Sequence, residues 1–409
     1  MKLYLSPPST KLLNSNIRIT GSKSESNRLL LLRALYPNIT IDNLSNSDDA
    51  DVMQKGLGVS KGVVDIHHAG TAMRFLTSYF ASQEDKEVLL TGSQRMTERP
   101  IEVLVDALRD LGAEIEYEKN AGYPPIRIKG NTLTKNRVSL PANISSQYIS
   151  SLLLVAPGLE NGLEVELKGK ITSVPYIRMT LALLEQIGIQ TFFEGNTIKV
   201  YPKESMPPKT LVVESDWSSA SYFYSIVALG DVGSKVVLSS YKKNSLQGDS
   251  VLAEIYKNWG VETDFGENEI SLRKTALLSP KGLDLDLSNA PDTAQTIAVT
   301  CFGLGVGCHL TGLHTLKIKE TDRLEALNTE LSKLGADITV SDKDLILRPS
   351  NQINRDVAID TYNDHRMAMA FAPLAMNTSL QINDAEVVSK SYPDFWKDLE
   401  ILGFGIGKP

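Results

Sequence analysis

The chain has 409 residues, 42% of them hydrophobic, and a formal net charge of −7 at pH 7. That apolar share suffices for two substantial cores, and the acidic balance argues against a general nucleic-acid surface. No apolar signal core follows Met1 and no apolar run is long enough to span a bilayer, so a soluble cytoplasmic protein is expected.

In chain order, two kinds of helix alternate. The extended segments IRIT, VVDIHH, RVSL, TLVVES, LDLDLS and VAID each precede a helix that is apolar nearly all round. These helices are SESNRLLLLRALY, GTAMRFLTSYFA, SSQYISSLLLVAP, SSASYFYSIVALG, DTAQTIAVTCFGLG and HRMAMAFAPLAM. Such helices belong in a core. Between them lie ADVMQKGLGV, DALRDLGAEI, ALLEQIGIQT, EIYKNWGVET, ELSKLGADI and DLEILGFGI. Each closes on a glycine: Gly58, Gly112, Gly188, Gly260, Gly335 and Gly403. A left-handed C-cap is predicted at all six. The repeat reads strand, buried helix, strand, amphipathic helix, strand, strand. Six βαβαββ units give an α/β (α+β) protein. One unit cannot wrap its own buried helix, so two similar domains of three units each are expected.

Two units depart from the repeat. Between Gly58 and Ala69 there is room for one extended piece, not a hairpin. The last unit stops after FGIG, and the N-terminal KLYL is expected to supply its missing strand. One domain is then discontinuous, residues 1–20 plus 217–409, and the other spans residues 21–216.

Polar groups gather at the helix starts. Gly21-Ser22-Lys23-Ser24, with Arg28 about one turn on, offers hydroxyls, N–H groups and two cations where the helix dipole favours an anion. It reads equally as a turn plus cap with Lys23 in solvent. His67-His68 lacks ligand partners nearby, and no metal site is expected. Arg95 to Pro100 is an anion clamp or a cap paired with Glu98, with Pro100 in the first turn of the next helix. Ser145-Ser146-Gln147 and Ser173 with Tyr176 suit a hydroxylated ligand, or are caps. Asp292 opens a buried helix, which an N-cap explains. Cys301 and Cys308 share one apolar segment at a spacing unlike a metal or redox pair, and read as core thiols. Lys319 and Arg323 are four apart and share a face if helical, with Glu320 as ion partner or proton carrier. Asn363-Asp364-His365-Arg366 starts another buried helix. Lys390 precedes the last amphipathic helix, where solvation is the plain reading.

Taken together in this order, GSKSESNR, AGTAMR, RMTERP, SSQY, SVPY, DWSSASYF, KETDRL, NDHRMAMA and KSYPDFW resemble the enolpyruvylshikimate-3-phosphate synthases over nearly the whole chain. The resemblance implies two domains of three βαβαββ units that close on the substrates between them. It implies that the 5-hydroxyl of shikimate 3-phosphate adds to C2 of phosphoenolpyruvate, and that the tetrahedral intermediate loses phosphate. No metal or organic cofactor is implied, and the expected partners are these two small molecules, without nucleic acid or membrane, acting on a monomer.

Roles follow from the resemblance. Lys23, Ser24 and Arg28 would hold shikimate 3-phosphate from the hinge side. Ser145, Ser146, Ser173 and Tyr176 would meet its phosphate and hydroxyls, with Gln147 near both substrates. Gly70, Arg95, Arg323, Arg366 and Lys390 would surround phosphoenolpyruvate, and Lys319 belongs to the same binding set. Asp292 would take the 5-hydroxyl proton, Glu320 would protonate the methylene carbon, and Lys23 would assist the leaving phosphate. Three positions depart from the family's pattern: His68 where many relatives have Asn, Phe75 in place of a frequent Pro, and Thr315 where an Asn is common. The alternatives are the sister enolpyruvyl transferase acting on UDP-N-acetylglucosamine, an RNA-end cyclase and a non-catalytic anion binder. The first commonly carries a cysteine in the loop that here reads Arg95–Pro100; the second needs a catalytic histidine; the third needs neither Asp292 nor Glu320.

Overall fold

The computed structural model describes all residues except 170, 172–173, 277–281, 351 and 409. The chain forms two compact units, Met1–Thr20 with Glu214–Pro409, and Gly21–Val213. Glu214 to Asp216 go with the first unit, three residues earlier than expected, and their hydrogen bonds show why. Glu214 accepts from Trp217 Nε1 at 2.8 Å and from Ser245 Oγ at 2.7 Å. Ser215 Oγ donates to Ile19 O at 2.6 Å. Val213, by contrast, donates its N–H to Asp42 O in the second unit.

Among the described residues each unit holds three sheets, and the second shows their construction. Strands Lys61–Asp65 and Glu87–Thr91 run parallel, with Val63 opposite Leu89, across the buried helix Gly70–Ala81. A parallel pair needs such a crossover. Helix Glu102–Leu111 then leads to strands Glu114–Tyr117 and Ile126–Lys129, and the latter pairs antiparallel with Glu87–Thr91. The sheet through Arg137–Pro141 and Leu163–Lys168 repeats the pattern around helix Ser146–Val155. Among the described residues the third sheet has only Ile39–Asp42 and Lys209–Val212. Its helix Asp48–Leu57 is followed by the single strand Lys61–Asp65, which belongs to the neighbouring sheet, so among the described residues there is one extended piece and no hairpin, as the spacing predicts.

In the first unit all three sheets have four strands. Asn14–Ile17 runs parallel to Lys235–Ser239, and the whole of Gly21–Val213 is inserted between that strand and the buried helix Trp217–Leu229. Leu3–Ser6 lies between Leu380–Ile382 and Gly405–Gly407, antiparallel to both.

The buried helices pack on one another within each unit. Every residue of Gly70–Ala81 and of Trp217–Leu229 is buried. Their hydroxyls pair with each other, as buried polar groups must: Ser78 with Ser151 at 2.9 Å, Ser221 with Thr296 at 3.0 Å and Thr300 with Ser225 at 2.8 Å. Cys301 and Cys308 are buried thiols in the first unit's core.

Five of the six closing glycines are left-handed, at φ 111° for Gly112, 77° for Gly188, 71° for Gly260, 96° for Gly335 and 90° for Gly403. Gly58 is not; it stays right-handed at φ −77°. Its N–H and that of Val59 close tight turns onto Lys55 O and Gly56 O, and the chain runs on to another sheet instead of turning into a hairpin.

Candidate active site

In the first unit the charged groups converge on Asp292. It lies in the 3-10 turn Pro291–Thr293, and Thr293, not Asp292, is the cap residue of helix Ala294–Gly303. The capping role is therefore not what its carboxylate serves. Asp292 Oδ1 meets Arg323 Nη1 at 2.8 Å and Lys319 Nζ at 3.5 Å, and Oδ2 meets Arg366 Nη2 at 3.4 Å.

Arg323 is the hub, 1% exposed. Its Nη2 donates to Glu320 Oε2 at 2.8 Å and its Nε to Asp364 Oδ2 at 2.7 Å. Asp364 also caps helix His365–Phe371, accepting from Arg366 N at 2.9 Å. Lys319 and Arg323 do not share a helical face. Asp322 accepts from the N–H groups of Leu324 and Glu325, so the helix begins only at Arg323, and Lys319 sits in extended backbone. Both still reach Asp292. Lys390 is buried, not solvated, and donates to Asn363 O at 2.6 Å and Asn363 Oδ1 at 2.9 Å.

The electrostatics follow from this packing. Burial alone would push the Asp292 carboxyl up, but Arg366, Lys319 and Arg323 hold it well below the ordinary carboxylate range, against Glu320. Burial would lower Arg366; Asp292, Tyr222, Asp216 and Asp249 keep it well above its usual value. Asp249, in the turn Gly248–Val251, is pushed up to about 7 by burial and by Asp292, with Arg366 and Lys319 opposing.

The second unit gathers a different set. Ser22 caps helix Lys23–Leu35, and Lys23 Nζ lies 3.5 Å from Asp49 Oδ2. Lys23 is thus tethered, not left in solvent. His68 Nε2 stands 4.0 Å from the other oxygen of Asp49. Arg28 donates from Nε to Thr180 Oγ1 at 2.8 Å, from Nη1 to Ser24 O at 2.7 Å, and from Nη2 to Ser150 Oγ at 3.1 Å and Tyr176 O at 3.4 Å. Burial lowers its guanidinium to about 10, with Tyr176 and Glu25 opposing, so it is charged at neutral pH.

Around this group, Ser145 caps helix Ser146–Val155 by accepting from Gln147 N, and Gln147 Nε2 donates to Thr71 Oγ1 at 3.2 Å. The guanidinium of Arg99 closes over Gly70, where an added Cβ would lie 2.7 Å from Nη1. Arg95 pairs with Glu98 at 3.4 Å, both about half exposed. Pro100 precedes the cap residue Ile101 instead of entering the helix, and its carbonyl accepts from Tyr148 and Arg74. Ser173 lies outside the described residues.

Sequence reasoning missed Asp49, Asp364 and Asp249. The first two stood at helix starts in NSDDAD and NDHR, where an Asp signals a cap and hides a second role. Asp249, in QGDS, carried no local signal.

A sequence model of the family described as EPSP synthase (3-phosphoshikimate 1-carboxyvinyltransferase) matches residues 58–399. The 3-phosphoshikimate 1-carboxyvinyltransferase of Bacteroides fragilis (strain YCH46) is 44% identical over 410 residues, covering 99% of each chain. That of Haemophilus influenzae (strain ATCC 51907 / DSM 11121 / KW20 / Rd) is 37% identical over 434 residues, covering 98% of each. In fold, the chain is similar to the EPSP synthase of Acinetobacter baumannii, with a TM-score of 0.80 over the full length of both at 22% identity. The chain therefore belongs to the EPSP synthase family.

Proposed function

We propose that Asp292 and Glu320 are the proton carriers of a 3-phosphoshikimate 1-carboxyvinyltransferase. The enzyme moves the enolpyruvyl group of phosphoenolpyruvate to the 5-hydroxyl of shikimate 3-phosphate and releases phosphate, a step toward chorismate and the aromatic amino acids. The observation that carries the assignment of roles is that both carboxylates sit 2.8 Å from the one buried guanidinium of Arg323. A shared arginine fixes two carboxylates at a set spacing, as an acid and a base working on adjacent atoms require.

In this reading Glu320 gives its proton to the methylene carbon of phosphoenolpyruvate, which makes C2 electrophilic. Asp292 takes the 5-hydroxyl proton as the oxygen bonds to C2. In the elimination, Glu320 recovers a proton from the new methyl group while the C2–O bond to phosphate breaks, the departing phosphate takes up the proton that came from the 5-hydroxyl, and Lys23 assists the leaving group. With three cations on it, Asp292 is a weak base. A carboxylate or phosphate that draws Arg366, Lys319 or Arg323 toward itself restores its basicity, so the anionic donor prepares the base that acts next. Lys23, Ser24, Arg28, Ser145, Ser146, Ser173, Tyr176 and Gln147 serve the shikimate 3-phosphate side. Gly70, Arg95, Lys319, Arg323, Arg366 and Lys390 serve phosphoenolpyruvate.

We take the enzyme to act in the cytoplasm as a monomer, without a cofactor. No described helix is long and apolar enough to cross a membrane. The deciding experiment is phosphate release by the purified protein. Phosphate should appear only with phosphoenolpyruvate and shikimate 3-phosphate together, and EDTA should not stop it. Turnover with UDP-N-acetylglucosamine in place of shikimate 3-phosphate would overturn the reading.

A further inference from the structure

Arg28 is a buried cation, 2% exposed, with no carboxylate in contact among the described residues, a condition it shares in the second unit with Arg74. The buried arginines of the first unit are handled differently: Arg323 touches three carboxylates and Arg366 touches Asp292. A buried charge without a counterion is costly. The field of Glu25 offsets part of that cost at Arg28, and two kinds of neutral group offset more. Its N–H groups go to four uncharged oxygens, those of Thr180, Ser24, Ser150 and Tyr176. Its guanidinium carbon also lies 5.4 Å from the ring centre of Phe75 and 6.0 Å from that of Tyr176. The negative face of a ring attracts a cation without neutralising it or occupying its N–H groups. A carboxylate there would do both, and would compete with any anion that came to bind.

Phe75 is 0% exposed and stands in the buried helix Gly70–Ala81, one turn beyond Gly70 and Thr71. We propose that Phe75 is a positioning residue for shikimate 3-phosphate: its ring stands in for a counterion, holding Arg28 in place while leaving its charge available to the substrate. The proposal rests on the assignment of Arg28 to that substrate.

The test replaces Phe75 by pentafluorophenylalanine, which keeps the shape and burial of the ring but reverses the charge on its face. Phe75→Leu and Phe75→Tyr serve as companions. Calorimetric Kd for shikimate 3-phosphate should rise roughly 2- to 30-fold in the fluorinated variant, the range a cation–π contact spans. The steady-state KM for that substrate should rise with it, by a larger factor than kcat falls or than the KM for phosphoenolpyruvate changes. Phe75→Leu should behave likewise, and Phe75→Tyr should retain the parent affinity. Parent-like affinity in the fluorinated variant overturns the proposal. That variant decides the matter even if Phe75→Leu does not fold. Arg28→Lys separates the two layers. If it leaves shikimate 3-phosphate affinity unchanged, the assignment of Arg28 falls and the proposal with it. If it weakens binding while the fluorinated ring does not, only the role of Phe75 falls.

Discussion

At Asp249 a single carboxyl ties stability to pH. Its value in the folded chain is about 7, against an ordinary 3.8. Between those values the unfolded chain has lost the proton that the folded chain keeps. Stability contributed by this group therefore falls as pH rises from about 4 to about 7 and then levels off. Asp249→Asn removes that loss, so it should raise the unfolding midpoint more at pH 8 than at pH 5; an equal change at both would show that Asp249 does not titrate in this window. Asp292 has the opposite sign. Its depressed carboxyl contributes stability that is full above the ordinary carboxylate range and is lost progressively as pH falls below that range. Asp292→Asn and Glu320→Gln should each lower kcat by about 10²–10⁴ with shikimate 3-phosphate binding largely retained. Near-parent turnover in either would reduce that residue to an ion-pair partner.

Among the elements, the closing glycines permit a matched comparison. Gly112 is left-handed, with only Thr134 atoms near an added Cβ, at 3.6 Å and beyond. Gly112→Ala should cost about 1–2 kcal/mol from backbone strain alone. Gly58 is right-handed, and its added Cβ would meet Lys55 O at 3.4 Å, an ordinary contact. Gly58→Ala should be neutral or stabilise by up to about 1 kcal/mol. Urea unfolding of the two variants checks this, and a loss at Gly58 as large as at Gly112 would contradict it. The same pair shows what the sequence could and could not disclose. Six helix-then-glycine segments were visible because a C-cap is a local event. That Gly58 lacks the left-handed turn depended on the absent hairpin, and the spacing up to Ala69 announced the absence without announcing its effect on the backbone. A shared face for Lys319 and Arg323 holds only if the segment is helical, and the condition fails because Asp322 caps the helix, a signature that TDRLE carries. The surroundings of Arg28 were illegible for a different reason: Thr180 is 152 residues away, and no spacing rule reports on such a contact.

Over the whole molecule, the functional reading asks cations of both units to serve one pair of anionic substrates. Like charges approach one another only with an anion to offset them, so ligands should favour the more compact form. Shikimate 3-phosphate should reduce the radius of gyration in small-angle scattering and tighten the binding of an anionic phosphoenolpyruvate mimic. Unchanged scattering with unchanged mimic affinity would refute this. The insertion of Gly21–Val213 also sets an order of folding events. Leu13 N bonds Ser234 Oγ across 221 residues, a long loop to close from a disordered chain. Once the inserted unit has formed, its two ends meet: an added Cβ on Gly21 would stand 2.8 Å from Val213 Cγ1. The loop is then effectively short. The inserted unit should therefore mature first and act as a clasp for the other. In pulse-labelled hydrogen exchange during refolding, amides of Gly70–Ala81 should gain protection before those of Trp217–Leu229. A core truncation such as Phe80→Ala should delay both, whereas Phe371→Ala should delay only the latter. Earlier protection of Trp217–Leu229 would reverse the order.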